Sequence, residues 1–183
     1  MRRHKLEQGL PPYGPAATLI PAGWGGGGRE GVVVSFDDGE TRWTANVQPG
    51  NGGPTEVRDH PNGADVLVFA RGDCWVVDPT ARRATLLAGA VEGVYAVPDS
   101  PDLILDRQGL ALIRLGTAGV VWHTRRLSWD GLEGVSVRAG TIVGQSWDAA
   151  RDRWSPFEVE LSTGAASLGP LRVPPEDWER LAT

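Results

Sequence analysis

The chain predicts an all-β fold in which a short antiparallel β-meander is repeated about four times along 183 residues. Three observations support this. Ala64 to Ala81 superposes on Pro101 to Ala118 at a single offset, 109 − 72 = 37, which places Gly72 on Gly109, Thr80 on Thr117 and Ala81 on Ala118. Apolar positions follow the same offset, as in Val66/Leu103, Leu67/Ile104, Val68/Leu105, Trp75/Leu112 and Val76/Ile113. A fixed period of this size marks a repeated supersecondary unit. The 25 Gly and 14 Pro occur without a collagen period, so they imply many turns rather than a fibre.

Residues 1–16 are polar and rich in Pro and Gly, and read as an N-terminal arm ahead of a single all-β repeat domain over 17–183. Ala17 to Pro21 is a short strand candidate, and Gly25 to Gly28 then break the chain. Gly31 to Phe36 and Thr41 to Val47 flank Asp37-Asp38-Gly39, residue types that tolerate the positive φ of a tight hairpin. Val66 to Phe69 and Leu103 to Leu105 are unbroken apolar runs, as expected of strands buried on both faces. Each leads through a Gly-bearing turn into a second apolar strand and then a third, Ala84 to Leu87 or Val120 to Thr124. Gly93 to Val97 and Gly134 to Val137 are candidates for the strands that precede such units.

Phe157 to Gly164 matches Ala111 to Ala118 at an offset of 157 − 111 = 46, with Thr163 on Thr117. Its strict alternation of Phe, Glu, Val, Glu and Leu predicts a strand with one wet face. The extra length falls between Trp147 and Phe157 and reads as an inserted loop. A short C-terminal helix is expected over Pro174 to Leu181, where proline and acids stand at the start.

The count is three four-strand units, at about 55–88, 91–125 and 134–170, after a partial one. The grammar of strand, Asp-x-x-Thr-Gly-like turn, and strand ending in Trp resembles the blades of quinoprotein-like and WD-repeat propellers over roughly 30–170. The chain departs from the WD pattern: Trp129-Asp130 and Trp147-Asp148 lie only 147 − 129 = 18 residues apart, and the Gly-His element of those repeats is missing. The resemblance implies a propeller-like scaffold; a stack of sheets and a β-sandwich stay open beside it.

The net charge of −5 argues against a nucleic-acid partner, which demands a basic face. Lys5 is the sole lysine, which reads as the mark of a GC-rich bacterial genome. Met1 to Lys5 is basic, but no apolar stretch follows it, so no secretory signal is read there. No run approaches 18 apolar residues, hence no membrane span is expected. One cysteine rules out an internal disulfide framework, and a cytoplasmic location is the expectation.

His123, Arg125, Arg126 and Asp130, with Ser128 among them, form the densest polar constellation. A neutral imidazole near a carboxylate can act as a general base, and paired arginines can clamp an anion. If the segment is a strand, however, His123 and Arg125 point away from Trp122, Thr124 and Arg126. Trp147, Arg151, Arg153 and Trp154 form a second candidate, since arginine flanked by tryptophan is a common interface composition. Asp37, Asp38 and Glu40 lack the spacing of a calcium loop, and Gly25 to Gly28 lack the Lys-Ser or Lys-Thr of a phosphate loop, so neither metal nor cofactor is expected. Cys74 reads as a small buried hydrophobe, and Arg71-Gly72-Asp73 as a hairpin turn.

The leading expectation is a binding or protein-interaction module without catalysis. The alternatives are an enzyme or small-anion binder that uses the His123–Asp130 region, and a subunit of a homodimer.

Overall fold

The computed structural model describes residues 3–24, 30–37, 39, 41–138 and 140–169. These form four four-stranded sheets, with no helix among the described residues. The helix expected over 174–181 lies outside them.

The first sheet contains β1 (Arg3–Leu6), β2 (Thr18–Ile20), β3 (Val32–Asp37) and β4 (Arg42–Val47), in the order β1-β3-β4-β2. The unit read as partial is thus completed by the N-terminal segment, whose β1 pairs antiparallel with β3 from Arg3↔Asp37 to Leu6↔Val34. At the other edge β2 runs parallel to β4, so this sheet is not a simple meander. The second sheet is one: β5 (Glu56–Asp59), β6 (Val66–Ala70), β7 (Asp73–Asp78) and β8 (Arg83–Ala88) lie in chain order. So do β9 (Val91–Ala96), β10 (Leu103–Arg107), β11 (Ala111–Gly116) and β12 (Gly119–His123) in the third sheet, and β13 (Leu132–Arg138), β14 (Thr141–Asp148), β15 (Arg153–Glu160) and β16 (Ala166–Leu168) in the fourth.

The 37-residue offset reappears as turn geometry. Arg71 and Gly72 between β6 and β7 both have positive φ (48° and 90°), as do Gln108 and Gly109 between β10 and β11 (60° and 63°). Two successive left-handed residues give the twist that suits a tight hairpin. A second repeated device was hidden in the sequence. Asp78 pairs with Arg83, and Asp148 with Arg153. In each hairpin the aspartate Oδ1 accepts the N–H two residues on (Thr80, Ala150), and the residue before the arginine is left-handed (Arg82, Asp152). The inserted loop expected between Trp147 and Phe157 is therefore corrected. Only Ala149 to Asp152 form the turn, and the extra length is strand, eight residues each in β14 and β15.

The chain forms two compact units, residues 1–93 with 116–119, and 94–115 with 120–183. The core of the first joins Val34, Phe36, Trp43, Ala45 and Val47 to Val66, Val68, Trp75 and Val77. Trp43 stacks on Phe36 at 4.4 Å and donates its indole N–H to the carbonyl of Pro79, 3.0 Å away. The core of the second joins Ile104, Leu112 and Trp122 to Leu127, Ile142, Phe157 and Val159. The Trp122 indole N–H donates to the carbonyl of Leu161 at 3.0 Å, and Arg114 donates to the same oxygen at 2.8 Å while its guanidinium pairs with Asp102 at 2.7 Å. In both units a tryptophan of one sheet thus ties down a turn of the next. The continuous runs of β6 and β10 are buried on both faces, and Phe157 and Val159 take the dry face of the alternating β15.

Candidate interaction site

The chain segment that follows β12 is what brings the two candidate regions together. Within β12 and just beyond it the expected alternation holds: Trp122 and Thr124 are buried, while His123 and Arg125 are exposed. The Thr124 hydroxyl accepts the Leu112 N–H at 2.9 Å and the Thr124 N–H donates to the Leu112 carbonyl at 2.8 Å, so this residue anchors the strand end. Leu127 is then buried in the core and its N–H donates to the Leu110 carbonyl at 2.7 Å. Both anchors fix where the next four residues lie.

Ser128 is fully buried and serves as a hub. Its hydroxyl donates to the Gly131 carbonyl at 2.6 Å and accepts the N–H of Trp147 at 2.9 Å and of Asp130 at 3.2 Å. Beside it the Trp129 N–H donates to the Trp147 carbonyl at 3.1 Å. The loop Ser128 to Gly131 is thereby fastened to the far end of β14. Buried polar groups with every partner in place hold a unique geometry.

Three indoles gather on this frame. Trp147 and Trp154 face each other across β14 and β15 and meet edge to face, centroids 5.4 Å apart at 70°. Gly131 lies under Trp154: a Cβ there would stand 3.2 Å from the ring, so a bare backbone suits the approach. Arg126 lies over Trp129 at 5.6 Å and donates to the carbonyls of Ser128 (2.8 Å) and Trp129 (2.7 Å). Despite this support Trp129 is 46% and Trp154 37% exposed. Exposed indoles held rigidly have little rotamer freedom left to lose on binding.

The charged candidates divide. Arg151 is tied to Asp148 at 2.7 Å, a hydrogen bond that holds the Asp148 carboxyl below the usual carboxylate range. Arg153 and Asp130 are exposed at the rim. His123 makes no ion pair with a carboxylate among the described residues. Clefts occur elsewhere, one of about 560 Å³ lined by Ile20, Asp65, Asp78, Arg82 and Arg83 among others, none of them a residue singled out in the sequence.

Trp129 is exposed on this same surface, although the sequence did not single it out as a candidate. Its signal was present: the Trp129-Asp130 and Trp147-Asp148 pairs, too close for successive blades, lie on neighbouring segments of one surface. Among the described residues no group of three or more His, Cys, Asp or Glu is placed to hold a metal, while Asp38 and Glu40 fall outside them. Cys74 is fully buried, and desolvation, with the Asp73 charge beside it, pushes its thiol up to about 12, so it stays protonated. Compared with protein-family models and with curated proteins, the sequence matches none.

Proposed function

We propose that the chain is a cytoplasmic binding module that recognises another protein through the indoles of Trp129 and Trp154. The observation behind this reading is the exposure of two tryptophans on a frame fixed by Ser128, Gly131 and the Trp147 backbone. Tryptophan and arginine dominate binding hot spots, because a wide ring excludes water while the guanidinium satisfies carbonyls and carboxylates at its margin. Arg126, Arg153 and Asp130 supply that margin, so the matching partner surface is an apolar pocket rimmed by mixed charge.

The test is capture from the native host's lysate followed by titration of the purified captured protein. Trp154→Ala and Trp129→Ala should each weaken binding by about 30-fold, the effect of a 2 kcal/mol hot spot. Arg153→Ala should cost less. Affinity unchanged in both tryptophan variants, each checked as folded by circular dichroism, refutes the site. The alternative in which His123 and its neighbours hold a small anion would instead show a ligand-dependent rise in melting temperature that His123→Ala removes.

A further inference from the structure

Each sheet has two edge strands, and an open edge presents unpaired N–H and C=O groups to any strand that approaches; proteins guard such edges with charge, brevity or bulges. Nearly every edge here is guarded. β1 carries Lys5; β5 carries Glu56, Arg58 and Asp59; β9 carries Glu92; β13 carries Glu133 and Arg138. β2 and β16 are three residues long. β8 opens on Arg83 and its pairing is bent by a register shift between Cys74 and Trp75.

β12 is the exception among the described edges. From Leu115 to Thr124 no residue carries a formal charge, and the strand presents Val120 and Val121 at 40% and 52% exposure. β-branched side chains on an uncharged outer strand favour pairing with a like strand. With the other edges guarded, the matching unguarded edge is β12 of a second copy. We propose that the chain forms a two-fold homodimer by antiparallel β12-to-β12 pairing, with the dyad near Val121, the midpoint of Gly119–His123. Such a contact is isologous and closed, so it stops at two copies. It uses β12, whereas the indoles of Trp129 and Trp154 stand on the Ser128–Gly131 loop and on β15.

The test is sedimentation of the full chain, with mass read across a concentration series. The wild type should approach twice 19.6 kDa and Val121→Lys should sediment as a monomer, because two lysines then face each other at the dyad. Mixing Val121→Lys with Val121→Glu should restore the dimer, a recovery that misfolded chains do not give. Raising salt should strengthen the wild-type dimer, since each copy bears −5 and screening relieves their repulsion. A wild type that stays at 19.6 kDa up to about 100 µM, a dimer that survives Val121→Lys, or one lost in Trp154→Ala alone overturns the proposal.

Discussion

Gly72 offers the sharpest test of how this fold is held. The β6–β7 turn is encircled by backbone: Gly50 N–H donates to the Ala70 carbonyl, Gly52 N–H to Arg71, Gly72 N–H to Pro54, and Val91 N–H to Gly72, at 2.8 to 3.2 Å. The linker from the first sheet and the start of β9 thus both close on one hairpin. A Cβ on Gly72 would collide with the Gly52 carbonyl and approach the Val91 carbonyl to 3.2 Å, at a φ of +90°. Gly63 is a matched control, with φ +69° and nothing within 4 Å of a Cβ. Left-handed backbone costs an L-residue about 1–2 kcal/mol. Collision inside a packed site adds about 1–3 kcal/mol. Gly63→Ala should therefore lose about 1–2 kcal/mol and Gly72→Ala about 2–5 kcal/mol. For a chain of this size each kcal/mol lowers the melting temperature by about 2–4 °C. Urea unfolding followed by the fluorescence of the eight tryptophans reads both variants. Equal losses at the two glycines would refute the idea that close approach, rather than φ alone, demands glycine at 72.

Other consequences follow from the same contacts. Arg114→Met strips the partner from the buried Asp102 carboxylate and should cost about 3 kcal/mol, of which adding Asp102→Asn recovers a part; denaturant midpoints decide. Ser128→Ala takes the acceptor from the Asp130 N–H and leaves the Trp147 N–H only its longer 3.3 Å bond to the Gly131 carbonyl, so about 1–3 kcal/mol of stability should go, and acrylamide should quench tryptophan emission more readily as the loop loosens. Burial pushes the His60 imidazole below its ordinary 6.5, so near that pH the unfolded chain binds more protons than the folded one. Stability should be complete above 6.5 and fall as the pH drops through it toward the folded value, and His60→Gln should flatten that slope. Glu7, Asp148 and Glu160, all held below the usual carboxylate range, lose their support only in a separate and more acid window.

Much of this architecture was written locally. The glycine at 72 and its echo at 109 marked turns that need positive φ, and the apolar runs at 66–69 and 103–105 marked strands without a wet face. Both are short-range demands, set by a residue and its immediate neighbours, and a linear sequence displays them. The alternation through Trp122 to Arg125 likewise told which side chains point inward. What the sequence alone could not supply was pairing at a distance. Whether Arg3–Leu6 hangs free or pairs as β1 depends on the edge of β3, some thirty residues on. Residues 147–156 looked like an insertion because the long β14 and β15 obscured a hairpin built like Asp78–Arg83. Trp129 and Trp147 stand 18 residues apart in the chain and became neighbours only because Thr124 and Leu127, anchored on β11 and Leu110, aim the following loop at the end of β14. Local sequence determined the strands and their turns; long-range hydrogen bonding and burial decided which surfaces those strands share.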